Sequence, residues 1–426
     1  MKIRKSDFYL LIFYLVIFLL PTQLGYHFWP SFSKVIGIRV DYLSPTIYFT
    51  DFLIFLMVLF WLVEKLRNSK LKIQNFQNHW FFVGTIIVLS VGVLFSKSPG
   101  AGLFGIVQFL FFFLLAWFVS KLPKYSFKKI KTYSLLLTIL SCSLLYESGL
   151  AILQIINGHS INGFFYFLGE RNFNAATPGI ANASLGGTLV LRPYGTFPHP
   201  NVLAGFFLIV MILLMSSIKK SSDVKKIFFS SVIILGTFVL FITLSRVALL
   251  LWILFLLWYA FKNIQKKPVF IFLIFSFPFL IFVSPLSKRF LSTSLTEESV
   301  VERMDLVKAS FQMFLSSPIF GVGINNFFIN LPSVLSSRFL FFLQPAHNIF
   351  LLVLSETGIL GFLLFCFFLF KTLKKTYVQK KIFFQVLIVI MVLGFFDHYF
   401  LTLHQGQLLL SLILGLCYNT NIQDES

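Results

Sequence analysis

IFFSSVIILGTFVLFITLSRVALLLWILFLLWYAF, residues 227–261, carries a single charge, Arg246. A helix crosses the hydrocarbon core in about 20 residues, so this run is too long for one ordinary crossing. Read as a helical hairpin turning at Thr243-Leu244-Ser245-Arg246, it sets the arginine at a membrane interface instead of in hydrocarbon, where an isolated charge is costly. That reading fixes on which side of the bilayer every later connection falls.

Composition supports a bilayer as the solvent. The 426 residues are 58% hydrophobic and 12% charged, whereas soluble chains run nearer half apolar and a quarter charged. The expectation is an all-α polytopic membrane protein, a single integral-membrane domain over 1–426. It has about twelve transmembrane helices, with boundaries set by hydropathy. They fall near 8–20, 46–63, 80–96, 102–120, 132–156, 200–218, 227–243, 247–261, 268–283, 346–370, 382–398 and 405–418. The opening MKIRKSDFYLLIFYLVIFLLP has the look of a signal peptide, but no small-residue cleavage site follows, so it reads as a retained first helix. The 59 Phe residues are given no functional weight.

The net charge of +20 belongs to the positive-inside rule and calls for no nucleic-acid partner. The connections KIRK, EKLRNSKLK, KLPKYSFKKIK, KKSSDVKK, KNIQKK and KTLKKTYVQKK all fall on one side, the cytoplasm, together with both termini. They hold 22 Lys and 2 Arg. The opposite side has the longer loops, near 21–45, 157–199 and 284–345. There the balance reverses to 4 Lys and 7 Arg: Arg39, Arg171, Arg192, Arg246, Arg289, Arg303 and Arg338. Arginine is the residue for bidentate phosphate or carboxylate recognition, while lysine acts as a point charge. Cys142, Cys366 and Cys417 lie far apart in apolar runs and offer neither a metal spacing nor a disulfide framework.

Four outward stretches carry candidate chemistry. In VLRPYGTFPHPNVLAGFF (190–207), Gly195 and two prolines set a turn, and Pro200-Asn201 suits a helix start. Arg192 is left without a role in that turn, and His199 lies beside it. The second stretch is Ser245-Arg246 at the hairpin tip. The third, ERMDLVKASFQMFLSSPIFGVGINNF (302–327), has helical periodicity, with Met304, Val307, Phe311 and Phe314 on one face and Arg303 near its start. It reads as an amphipathic helix lying on the outer membrane surface. Its GVG is too short for a nucleotide loop and follows no strand. The fourth is QPAHNIFLLVLSETGILGFLLF (344–365), with His347 and Asn348 at the mouth of a span. A histidine of ordinary pKa accepts a proton near neutral pH. Glu356 lies roughly 13 Å deeper at about 1.5 Å per residue, and an intramembrane carboxylate is functional or paired by default. No Asp-x-Asp motif or metal-ligand spacing is present, so no metal and no cofactor are expected.

In order and spacing, RPYGTFPHPNVLAGF (192–206), TLSRVALL (243–250), RMDLVKASFQMFLSSPIFGVGINNF (303–327) and AHNIFLLVLSETGILGFLLF (346–365) resemble the O-antigen ligase and O-antigen polymerase superfamily of bacterial envelope enzymes. The likeness covers the C-terminal half; the first five spans match only in being hydrophobic. Val307 departs from it, standing where such proteins often have an aromatic residue.

The resemblance implies a GT-C type, metal-independent inverting glycosyltransferase in the bacterial cytoplasmic membrane. It implies a donor glycan on an undecaprenyl-pyrophosphate carrier, a lipid, glycan or protein acceptor, and an active site on the outer, periplasmic face. Carried over by motif, Arg192, Arg246 and Arg303 match arginines thought to hold the pyrophosphate, and His347 matches the base. His199, Asn201, Asn348 and Glu356 rank behind them. Two other readings stay open: a polymerase extending lipid-linked repeats, and a flippase for the same lipids, since transporters also place ionisable groups near broken helices.

Overall fold

The computed structural model describes residues 7–67, 79–127, 130–185, 188–262, 298–335 and 343–422. After α1 (Phe8–Phe18) comes a loop with β1 (Gly25–His27), β2 (Lys34–Val35), β3 (Ile38–Arg39) and β4 (Thr46–Tyr48), paired antiparallel as β1–β4 and β2–β3. Helices α2 (Phe49–Arg67), α3 (His79–Leu94) and α4 (Pro99–Ser120) follow. A short β5 (Tyr125–Ser126) and β6 (Ile130–Lys131) ladder then leads into α5 (Thr132–Asn157). The hairpin β7 (Asn182–Leu185) and β8 (Thr188–Leu191) precedes α6 (Pro200–Ser217), α7 (Asp223–Ile242) and α8 (Arg246–Lys262). The remaining described helices are α9 (Glu298–Ser316), α10 (Phe327–Val334), α11 (Ile349–Gln379), α12 (Lys381–Phe396), α13 (Tyr399–Thr402) and α14 (His404–Tyr418).

The chain is a multi-pass helical membrane protein. Among the described residues, α4, α5, α6, α7 and α11 are long and apolar enough to cross a membrane, while α1, α3 and α12 are apolar but shorter. Every expected span within the described residues coincides with a helix, but several of those helices are shorter than the roughly 20 residues of an ordinary crossing. α8 and α14 have 17 and 15 residues, and a short helix meets the bilayer only by local thinning or flanking side chains. The expected span at 268–283 lies outside the described residues, as do Arg289 and Arg338. The small two-stranded β ladders lie in the connecting loops, where they satisfy backbone groups.

Two compact units make up the chain: residues 1–20, 25–136 and 298–424 in one, and 21–24, 137–297 and 425–426 in the other. In the first, α1 packs on α2, α4 on α14 and α3, and α11 on α3, α9 and α12. Leu306, Ala309 and Met313 of α9 meet Phe327, Phe328 and Leu331 of α10 and Leu352 of α11 in one apolar cluster, joined by Val35, Val40 and Leu43 of the first loop.

In the second unit α6 is buried along nearly its whole length and packs against α7 and α8. A helix that is hydrophobic all round belongs inside a bundle. In a bilayer its cohesion comes from close packing more than from exclusion of water.

α11 is two half-helices. Gly358 interrupts it with φ +62° and ψ −166°, and the Pro318–Gly323 segment fills the gap. Val322 N–H donates to Ser355 O at 2.9 Å and Gly323 N–H to Glu356 O at 2.9 Å. In return, Ile359 N–H donates to Pro318 O at 2.8 Å and Leu360 N–H to Ile319 O at 3.3 Å. The break leaves carbonyl and amide groups that would otherwise be orphaned, and the inserted segment satisfies them.

Candidate functional site

In the first unit the site is built at the start of α11. Asn348 caps that helix: its Oδ1 accepts from the N–H groups of Phe350 and Leu351 at 2.9 and 3.0 Å. Its Nδ2 donates to Phe395 O at 3.0 Å, tying the start of α11 to the end of α12. That tie brings His347 beside the Asp397-His398 pair that follows α12. The His347 and His398 ring centroids lie 5.0 Å apart at 80°. Asn348→Ala is therefore expected to destabilise the protein by roughly 1 kcal/mol for the cap and about as much again for the lost Phe395 bond. Asn348→Asp keeps the cap. Thermal unfolding in detergent checks this, and an alanine variant melting with the wild type contradicts it.

The histidine cluster is electrostatically graded. His398 donates its backbone N–H to Asp397 Oδ1 at 2.8 Å, its Nδ1 lies 2.5 Å from Thr402 Oγ1, and its Nε2 is 3.8 Å from Asp397 Oδ1. Burial drives its pKa down to about 3 against the pull of Asp397, so it is neutral at any physiological pH. Tyr42 of the first loop stacks on Phe328 at 5.1 Å and meets the His398 ring edge-on at 5.6 Å, closing the cluster from that side.

His347 is also held below its ordinary value. Burial is the main cause, and the Arg303 guanidinium adds to it, while Asp397 and the Pro345 carbonyl oppose both. A neutral imidazole can accept a proton, and the buried His347 Nδ1 has no hydrogen-bond partner among the described residues.

Arg303 is exposed on α9, the helix expected from the 302–327 periodicity. The inward stripe is Leu306, Ala309, Ser310 and Met313, whereas Met304 and Phe311 are exposed. The helix has two apolar faces, and the periodicity alone pointed to the outer one.

Glu356 is buried just before the break in α11, where its Oε1 accepts from Phe327 N–H at 3.3 Å. It satisfies the first amide of α10, a partnered carboxylate at a helix start.

In the second unit the 190–207 stretch is clamped by α5. Gln154 Oε1 accepts from the N–H groups of Tyr194 and Gly195 at 2.9 and 2.8 Å, and its Nε2 donates to Gly195 O and Glu170 Oε1 at 2.9 and 2.8 Å. Glu147 accepts from Thr196 N–H at 2.9 Å and Thr196 Oγ1 at 2.6 Å. Gly195 has φ +57°, and a Cβ there would sit 2.1 Å from Glu147 Oε2, so the turn requires glycine.

The helix cap differs from expectation. His199, not Asn201, caps α6, its Nδ1 accepting from Asn201 N–H at 3.1 Å. Asn201 Oδ1 instead accepts from Arg192 Nη2 at 2.8 Å. Arg192 Nε donates to Thr243 O at 2.8 Å, at the turn between α7 and α8. That turn comes where the 227–261 reading puts it. Leu244 adopts φ +54°, and Arg246 opens α8. Arg192 thus lies 8% exposed and braces the connection that leads to Arg246.

The fold brings His347, Asn348 and the charge of Arg303 together in the first unit. In the second it brings together Arg192, His199, Asn201 and the turn before Arg246. Asp397, His398 and Gln154 escaped the sequence reading, although FFDHYF (395–400) shows an ionisable doublet at the end of an expected span on the same side as His347.

The sequence has no metal-ligand spacing, yet His347, Asp397 and His398 place one ligand atom each within 4.8 Å of one another. That donor set, two imidazoles and a carboxylate, is one a transition-metal ion accepts.

No curated protein matches the chain. Residues 229–366 match the family described as O-antigen ligase, a segment that runs from α7 into α11 and includes Arg246, Arg303, Gly321, His347, Asn348, Gly358 and Glu356. That match makes the segment from α7 into α11 similar to the O-antigen ligase family.

Proposed function

We propose that the protein transfers a glycan from an undecaprenyl-pyrophosphate carrier to an acceptor hydroxyl at the outer face of the bacterial cytoplasmic membrane, with both termini cytoplasmic. The observation that carries this reading is His347. It has a buried, unpartnered Nδ1, is held neutral by its surroundings, feels the charge of Arg303 and lies within the family segment.

In the step proposed, His347 takes the proton of the acceptor hydroxyl. The acceptor oxygen attacks the anomeric carbon as the bond to the carrier pyrophosphate breaks. The electron pair leaves with the pyrophosphate, and the anomeric configuration inverts. Arg303 is assigned to the charge growing on the departing phosphate, where fixed donors contribute several kcal/mol. The resemblance assigns Arg192 and Arg246 to the same anion. Arg192's bonds to Thr243 and Asn201 give it a second duty in shaping the turn before Arg246. No step passes through a metal.

The test is reconstituted protein incubated with an undecaprenyl-pyrophosphate-linked oligosaccharide and either a lipid-linked repeat or a glycolipid as acceptor. Release of undecaprenyl pyrophosphate with an inverted glycosidic bond, unchanged by a chelator, is expected. Retained configuration, or turnover abolished by chelation, overturns the mechanism. The acceptor that reacts separates ligase from polymerase.

A further inference from the structure

An apolar groove of about 740 Å³ runs between α3 and the second half of α11. Trp80, Gly84 and Val88 line it from one helix, and Leu364, Phe367 and Phe370 from the other. Its volume is that of a ligand pocket, but its lining is hydrocarbon, and its helices are an apolar helix and a membrane-crossing one. Such a groove suits a lipid chain.

What distinguishes one lipid from another lies at the end of the groove. Lys371 follows Phe370 directly, with its ammonium 4.8 Å from the Phe367 ring centroid and 5.6 Å from that of Trp80. Trp80 and Phe367 themselves meet at 5.7 Å. An aromatic pair with a cation over it is the arrangement of a membrane interface. The next turn adds Lys374 and Lys375.

We propose that this groove holds an acyl chain of an anionic phospholipid, with Lys371 beside the headgroup phosphate. On the proposed orientation, in which KTLKKTYVQKK is cytoplasmic, that lipid belongs to the inner leaflet. The occupant is not the donor's polyprenyl chain. Lys371 and His347 lie toward opposite ends of α11, roughly 36 Å of helical rise apart at about 1.5 Å per residue. A headgroup at one end is therefore out of reach of the other. A basic residue near the membrane surface contributes roughly 1 kcal/mol to anionic-lipid binding, about fivefold in affinity.

The test uses full-length protein in phosphatidylcholine vesicles containing brominated phosphatidylglycerol or, at equal bromine, brominated phosphatidylcholine. The Trp80 signal is taken as the difference between wild type and Trp80→Phe. Expected is about fivefold tighter quenching by phosphatidylglycerol, with the preference lost in Lys371→Gln. Quenching by both lipids should weaken in Gly84→Leu, because a Cβ at Gly84 meets no heavy atom within 4 Å and a side chain there can enter the groove. Equal quenching by the two lipids, or stronger quenching by a brominated polyprenyl phosphate, overturns the proposal. Glycan transfer plays no part in this readout, so it stands or falls apart from the catalytic reading. Labelling of Lys374→Cys by an impermeant maleimide in right-side-out vesicles overturns the leaflet assignment.

Discussion

His347→Ala is expected to lower glycan transfer by about 10²–10⁴-fold, the usual contribution of a general base, with protein level and melting temperature close to wild type. Apart from its contact with the His398 ring and a hydrogen bond to the neighbouring Pro345 carbonyl, the side chain does little for the fold, and its Nδ1 has no partner among the described residues. Its loss should therefore be felt in chemistry more than in stability. Initial rates of carrier release measure this, and turnover within a few-fold of wild type removes His347 from the base role.

The pH profile adds a sharper check, because the neighbours push His347 in opposite directions. The base works as the neutral imidazole. Activity is full above its folded pKa and falls as pH drops through it. Burial and Arg303 hold that pKa below 6.5, so the acid limb should lie on the acid side of an ordinary histidine. Arg303→Gln removes a positive neighbour, raises the pKa and moves the limb to higher pH. Asp397→Asn removes a negative one and moves it to lower pH. His398, neutral throughout at about 3, adds no second limb. Arg303→Gln should also depress the rate at every pH if the guanidinium meets the pyrophosphate, so the direction of the limb separates its field from its contact. Limbs that stay in place in both variants would falsify the assignment of the base.

The sequence made the membrane class and most helix positions readable because hydropathy is a strong, local signal. The turn at Thr243–Arg246 was readable for the same reason: a long apolar run with one charge has few ways to satisfy that charge. His347 and Arg303 stood out as ionisable residues at helix ends. What the sequence hid was pairing. Asn348 looks like a polar neighbour of His347, but its amide reaches Phe395, and a 47-residue separation has no local signature. Arg192 looked like a free phosphate ligand, whereas its bonds to Thr243 and Asn201 make it part of the scaffold. Glu356 looked functional because it is buried in a span, yet the amide it satisfies belongs to Phe327. Helical periodicity showed where α9 lies but not which of its two apolar faces turns inward.

Gly358→Ala is expected to cost at least roughly 3 kcal/mol and to remove most folded protein from the membrane. Two independent penalties add. The backbone at φ +62° and ψ −166° is one that non-glycine residues reach only at about 1–3 kcal/mol. A Cβ there would also lie 2.4 Å from the carbonyl carbon and oxygen of Ile319, so the Pro318–Gly323 segment would have to withdraw and give up the bonds that close the break in α11. Gly321 is the reciprocal half. Its φ is +70°, and a Cβ there would lie 2.4 and 2.5 Å from the carbonyl carbon and oxygen of Glu356, so Gly321→Ala should behave alike. Glu356→Gln is the control: it keeps an acceptor for Phe327 N–H and should melt near wild type. Glu356→Leu orphans that amide at about 1–3 kcal/mol. The four variants rank the brace by fluorescence-detected size exclusion after heating. Because the brace joins the helix that carries Arg303 to the helix that His347 precedes, surviving Gly358→Ala protein should also lose transfer activity. A Gly358→Ala protein with wild-type melting and turnover shows that the two half-helices do not need the inserted segment.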